Sequence, residues 1–263
     1  MLEARAVHDA RRALACLDLT DLGEAATAQS AASLCARAVA PRKVAAVCLW
    51  PRFVSLAKRK LARSGVKVAT VANFPSGEER LGKVRAAIEA MLHDGADEID
   101  LVIPYRRLIA GRPRTVTALL RAARATIQAP AILKVILETG EYPSAALIAD
   151  AARRAIGEGA DFLKTSTGKS RTSATPAAAR LLLEAAKAAG RPVGVKVSGG
   201  VRTPADASAY LALADEIMGP NWAEPRTFRF GASGLRDALL AALGEGQDEE
   251  TKANETKVAR YAY

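Results

Sequence analysis

Metal ligands and thiols are scarce in this chain of 263 residues, which holds two histidines, His8 and His93, and three cysteines, Cys16, Cys35 and Cys48. Both histidines fall in helical patterns without the spacing of metal ligands, and they read as structural or surface residues. The cysteines are odd in number, widely separated and form no CxxC pair, which speaks against a disulfide framework and against structural zinc. Aromatic residues make up 5% of the chain and do not interleave with its basic runs, so stacking platforms for nucleic-acid bases are missing. Long apolar runs are missing too. The longest uncharged apolar run near the start, Val44 to Trp50, is far too short to span a bilayer, and the first nine residues mix charges where a signal region would be apolar. These absences predict a cytoplasmic protein without a membrane segment and without a resident metal.

Positive charge is in excess. Lys and Arg number 38 against 28 Asp and Glu, a formal net charge of +10. Lys58-Arg59-Lys60 and the arginines between Arg106 and Arg124 could form a nucleic-acid surface. Solvated arginine-rich helix faces explain them more simply, and a positive field also draws in phosphorylated metabolites. The expected partner is therefore a small anion and not a nucleic acid.

Half of the residues are hydrophobic, enough for a large core. Short apolar runs alternate with longer amphipathic stretches, as parallel strands with crossover helices require. Eight candidate strands emerge: residues 44–50, 66–72, 98–103, 132–137, 161–166, 193–198, 215–218 and 227–230. Helical patterns cover residues 77–93, 114–127, 144–158 and 176–189. Thr175-Pro176 reads as N-cap followed by first helical position, and Gly190 follows a last turn carrying Lys187. Eight units favour a closed (β/α)8 TIM barrel as a single domain over 1–263. An open Rossmann sheet is the alternative, but no GxGxxG follows the first strand. Residues 3–40 read as an N-terminal helical pair with a loop near Leu19 to Gly23, and 244–263 as a flexible polar tail.

The chemistry concentrates in two strand lysines. Lys164 lies in Phe162-Leu163-Lys164-Thr165-Ser166-Thr167-Gly168-Lys169 and Lys196 in Gly194-Val195-Lys196-Val197-Ser198-Gly199-Gly200. Lysine is rarely buried without a partner. Deprived of water and placed beside another cation, it sheds its proton and becomes a nucleophilic amine. Strand residues two apart share a face, so Asp100, Lys134, Lys164 and Lys196 from successive strands can converge inside the barrel mouth, with Glu138 on the face of Lys134. Three loops at the same end supply an anion site: Thr167-Gly168-Lys169, Gly199-Gly200-Val201-Arg202 and Gly231-Ala232-Ser233-Gly234. Their glycines let backbone N–H groups approach a phosphate, and Lys169 and Arg202 add charge. Imine chemistry on a phosphorylated carbonyl compound follows from the combination.

At these residues the chain resembles the deoxyribose-phosphate aldolase family of class I aldolases. The resemblance runs from Leu17-Asp18-Leu19-Thr20 through Cys48 to Phe53, Asn73 to Gly77, Glu98-Ile99-Asp100 and Leu133 to Gly140. It continues through both lysine motifs to Arg229-Phe230-Gly231-Ala232-Ser233. It implies a TIM barrel that reversibly cleaves 2-deoxy-D-ribose 5-phosphate to acetaldehyde and D-glyceraldehyde 3-phosphate. Lys164 takes the Schiff-base position, Lys196 that of the second lysine and Asp100 that of the catalytic aspartate. Tyr263 takes that of a C-terminal tyrosine reaching into the site, with Tyr261 as the alternative. Thr20, Cys48, Phe74 and Thr167 match positions near the substrate, with Cys48 read as a packed thiol. Gly168, Lys169, Gly199, Gly200, Arg202, Gly231, Ser233 and Gly234 match the phosphate loops. The resemblance also implies a homodimer and no cofactor, since the imine itself withdraws electrons. One departure stands out: many relatives carry two serines after the glycine of the last strand, and here the second position is Gly234.

Overall fold

The computed structural model describes residues 2–245. Eight parallel strands close into a barrel in sequence order: β1 (Leu17–Asp21), β2 (Ala46–Leu49), β3 (Lys67–Ala72), β4 (Glu98–Val102), β5 (Ile132–Ile136), β6 (Phe162–Lys164), β7 (Gly194–Ser198) and β8 (Phe228–Ala232). Helix α1 (Leu2–Ala15) precedes the barrel. The crossovers carry α2 (Ala28–Arg37), α3 (Val54–Lys60), α4 (Leu81–His93), α5 (Tyr105–Ile109), α6 (Pro113–Thr126), α7 (Ala145–Gly157), α8 (Pro176–Lys187) and α9 (Pro204–Met218), and α10 (Leu235–Ala242) follows the last strand. Among the described residues no helix is long and apolar enough to cross a membrane.

Local chemistry accounts for these boundaries. Ser144 and Thr175 cap α7 and α8 through their hydroxyls, and Pro176 takes a first-turn position where its missing N–H costs nothing. Along α8, Ala178, Ala179, Leu182, Leu183 and Ala186 recur at helical spacing and are buried. Outward positions of the strands, such as Leu133, Val135, Leu163, Val195 and Val197, are fully buried in the layer between barrel and helices. Each such aliphatic side chain contributes about 1.5–3 kcal/mol of burial free energy.

Two expectations about the barrel are corrected. Residues 17–21 form β1, between α1 and α2, where the sequence suggested a loop within a helical pair. Its outward Leu17 and Leu19 alternate with inward Asp18, a polar filling that mimics a turn in sequence. Residues 215–218, expected as a strand, are the last turn of α9. Buried Ala207, Tyr210, Leu211, Ala214 and Ile217 follow the helical period there. Asp215 accepts two hydrogen bonds from Arg12 of α1 at 2.8 and 2.7 Å, so its polarity belongs to a helix–helix contact.

The N-terminal end of the barrel is plugged. Phe162 stands at the start of β6 beside Gly194 of β7, and a Cβ on Gly194 would come within 2.3 Å of the phenyl ring. Only glycine leaves room for that ring. The Arg229 guanidinium lies 5.7 Å from the Phe162 ring centroid and forms the next layer up.

Candidate active site

Above the plug, seven charged side chains among the described residues fill the barrel interior: Asp18, Glu98, Asp100, Lys134, Lys164, Lys196 and Arg229. Strand parity places them together, as the inward positions of β1, β4, β5, β6, β7 and β8. Asp100 is the hub. Its Oδ2 accepts hydrogen bonds from Lys164 Nζ at 2.8 Å and from Lys196 Nζ at 2.7 Å, while its Oδ1 accepts from Lys134 Nζ at 2.9 Å. Lys196 donates also to Asp18 Oδ2 at 2.6 Å. Lys134 pairs with Glu98 and lies 3.5 Å from Asp18. Arg229 closes the lower side, on Asp18 Oδ1 at 2.5 Å and Glu98 Oε1 at 2.8 Å. Of these, Asp18, Glu98 and Arg229 carried no expected role. All three sit in the stretches of family resemblance, and their inward parity was the signal that could have found them.

The three lysines are not equivalent. Burial pushes the Lys164 amine below its ordinary value, the charge of Lys196 pushes it the same way, and Asp100 opposes both. Burial is thus the larger cause, ahead of the neighbouring ammonium that the sequence suggested. Two ammonium groups about 4 Å apart at an effective dielectric near 20 repel by roughly 4 kcal/mol, so that second cause is substantial as well. Burial also works against charge on Lys196 and Lys134, but there the carboxylates win and both are held above the ordinary range. Asp100 is held well below the usual carboxylate range, because its three lysines overcome the burial penalty. The result is a neutral-prone amine beside ammonium groups that stay charged.

A cavity of about 440 Å³ opens over this cluster at the C-terminal ends of β6, β7, β8 and β1. Thr20, Thr167, Gly168, Lys169, Gly199, Gly200, Arg202, Gly231, Ser233 and Gly234 all line it, so the three expected loops meet in one place. Glu138 fastens the first loop: it accepts from the Thr167 hydroxyl at 2.6 Å and the Ser170 hydroxyl at 3.0 Å. Lys169 Nζ donates to the Leu22 carbonyl at 3.0 Å across the mouth. Gly199 needs its positive φ of 82°, and a Cβ there would strike Ser173 at 2.6 Å. A Cβ on Gly231 would meet Ser198 Oγ at 2.6 Å and Lys196 Cε at 3.0 Å, so this glycine leaves room for the lysine stem.

The two helix N-termini beside the cavity differ. That of α9 is self-satisfied, since Asp206 accepts from the N–H groups of Arg202 at 3.0 Å and Thr203 at 2.9 Å. That of α10 begins at Gly234 with no side-chain cap, and its free N–H groups suit an anion. Cys48 and Phe74 lie outside the cavity lining, as do the buried side chains of Asp100, Lys164 and Lys196. Cys48 is fully buried with Leu22, Ala46, Ala69 and Val71, with Phe74 and Trp50 packed against them, and burial pushes its thiol up. It is a packed thiol, as expected. Tyr261 and Tyr263, with the rest of the expected tail beyond 245, lie outside the described residues.

A closed barrel with a buried, neutral-prone amine beneath a well lined with groups suited to an anion has the form of a lysine-dependent aldolase. Residues 12–241 match the model of the DeoC/LacD family aldolases, and the chain belongs to that family. It is 50% identical over 236 residues to the deoxyribose-phosphate aldolase of Agrobacterium fabrum, covering 89% of this chain and 91% of that one. Among solved structures, a Toxoplasma gondii protein provisionally named deoxyribose-phosphate aldolase superimposes with a TM-score of 0.84 at 27% identity, over 93% of this chain and 99% of that one. A Coccidioides immitis protein with the same provisional name gives 0.78 at 30% identity, over 89% and 85%.

Proposed function

We propose that the protein is a class I aldolase that cleaves 2-deoxy-D-ribose 5-phosphate reversibly to acetaldehyde and D-glyceraldehyde 3-phosphate. The observation that carries this reading is Lys164, an amine 2% exposed and lowered in basicity, held to Asp100 beneath an anion cradle. Neutral Lys164 Nζ attacks the C1 aldehyde to give a carbinolamine, which loses water to become an iminium. The two-carbon product carries away C1 and C2, so the bond that breaks is C2–C3. As the C3 hydroxyl gives up its proton, C3 becomes the aldehyde of the triose phosphate, and the electron pair of the broken bond enters the enamine on Lys164. Asp100 and charged Lys196 move the protons of carbinolamine formation and of the C3 hydroxyl through a water molecule. Protonation of C2 restores an iminium, and hydrolysis frees acetaldehyde. Family resemblance assigns that last protonation to Tyr263, or to Tyr261. The phosphate is held by the glycine loops, Lys169, Arg202, Ser233 and the N-terminus of α10.

Borohydride trapping with 2-deoxyribose 5-phosphate, read by peptide mass spectrometry, tests the reading. A substrate-dependent adduct on Lys164 is expected. No adduct on folded, substrate-saturated protein overturns the assigned substrate, and an adduct on Lys196 reverses the two lysine roles.

Gly234 gives a second expected outcome. A Cβ at this position meets nothing within 4 Å, so Gly234→Ser is tolerated and adds a hydroxyl donor beside the phosphate. One neutral hydrogen bond contributes about 1 kcal/mol, roughly fivefold in affinity. The kcat/KM ratio of 2-deoxyribose 5-phosphate to 2-deoxyribose should rise severalfold in the variant. An unchanged ratio means that Gly234 does not weaken phosphate selection.

A further inference from the structure

The interior cluster holds four cationic side chains and three carboxylates. An unbalanced charge sealed from water is costly, so the cluster favours release of one proton. Arg229 cannot supply it, because a guanidinium does not deprotonate in a protein. The carboxylate partners decide among the lysines. Among the described residues Lys134 has three, Glu98, Asp100 and Asp18; Lys196 has two, Asp18 and Asp100; Lys164 has Asp100 alone. Loss of the proton from Lys164 breaks the fewest ion pairs and brings the cluster to neutrality.

We propose that Arg229 and Glu98 are positioning residues for the imine chemistry, a buried ion pair that sets the charge count of the barrel interior and so leaves Lys164 as the amine without a proton. The inference rests on Lys164 as the imine-forming residue. Glu98 makes no ion pair with Lys164, and Arg229 is joined to it through intervening groups, by way of Asp18, Lys196 and Asp100 on one side and of Glu98, Lys134 and Asp100 on the other. Both act by charge and through the network. The remaining groups facing Lys164 do not alter the count. Cys48 of β2 is kept protonated by burial, β3 presents no charged side chain to the interior, and Glu138 is engaged by Thr167 and Ser170 in the loop above. Arg229 is 4% exposed, with its guanidinium over the Phe162 ring, so solvent does not screen the pair.

The two residues carry opposite charges, and their removal must move Lys164 in opposite directions. Removal of the cation leaves three cations on three carboxylates, and Lys164 keeps its proton to higher pH. Removal of the carboxylate leaves four cations on two, and Lys164 gives up its proton at lower pH. The probe is acetaldehyde with cyanoborohydride: the amine and the aldehyde form an iminium and water, and hydride from cyanoborohydride reduces it to an ethylated lysine. Mass spectrometry of the Lys164 peptide gives the rate of this modification against pH, independently of any turnover of 2-deoxyribose 5-phosphate.

Arg229→Met should shift the midpoint of that profile upward by about one pH unit, and Glu98→Gln should shift it downward by about as much. The double variant should return it close to the wild-type position. Coincident midpoints, or two shifts of the same sign, would overturn the proposal and leave Arg229 and Glu98 with a packing role only. If Arg229→Met does not fold, the sign of the Glu98→Gln shift decides alone. Failure of wild-type trapping with 2-deoxyribose 5-phosphate would overturn the assigned substrate without touching the acetaldehyde profile, so the two ideas fail separately.

Discussion

Lys164→Met should abolish borohydride trapping and lower kcat by roughly 10⁶-fold, the loss typical of deleting a covalent nucleophile. It should also make the protein more stable at neutral pH. Because the folded amine is less basic than the free side chain at 10.5, folding must expel a proton or bury an unfavourable ammonium. The unfolded chain binds more protons below 10.5, so the stability of the wild type rises with pH through the window beneath that value. Methionine removes this dependence, and Asp100 keeps Lys134 and Lys196 as partners. The Tm of Lys164→Met should therefore exceed that of the wild type at pH 7, with the gap narrowing towards pH 10.5. A Tm below wild type across the whole range would mean that the Lys164–Asp100 bond stabilises the fold more than burial of the amine destabilises it.

Asp100→Asn should act in the opposite sense on stability. Three amines share this carboxylate, and an amide of the same shape leaves Lys134 with Asp18 and Glu98, Lys196 with Asp18, and Lys164 with no carboxylate among the described residues. Breaking a buried ion network from one side costs about 3–5 kcal/mol, and loss of a general acid–base group costs about 10²–10⁴-fold in rate. Thermal unfolding and steady-state kinetics should show both losses together. Asp100 is also the group that holds up the basicity of Lys164, so the trapping profile of the variant should move to lower pH. A profile moved to higher pH would mean that Asp100 does not govern the protonation of Lys164.

Much of this architecture was legible because a parallel barrel buries the outer face of every strand. The aliphatic runs of β2 to β7 announced themselves, and parity then carried Asp100, Lys134, Lys164 and Lys196 to one place. The same rule fails where the inward face is polar and the strand is short. In β1, Asp18 and Thr20 interrupt Leu17 and Leu19, so the strand reads as a turn. The expected total of eight was right only because a false strand at 215–218 replaced the missed one. Apolar residues near the end of α9 resemble a strand core when read over four positions, and their helical period shows only over the whole element. Arg229 was overlooked for a related reason. Its neighbours Phe228 and Phe230 mark a strand, but a single charged residue between them gives no sign of its partners, which come from β1 and β4.

The plug of Phe162 against Gly194 has a kinetic consequence. Sealed below, the barrel is a blind well, and everything that enters or leaves uses one mouth. In the proposed reaction the phosphorylated three-carbon fragment is anchored at that mouth, while the two-carbon fragment stays bonded to the Lys164 amine. Release in the cleavage direction is then a queue: the triose phosphate departs first, and acetaldehyde follows once water has reached the imine it left exposed.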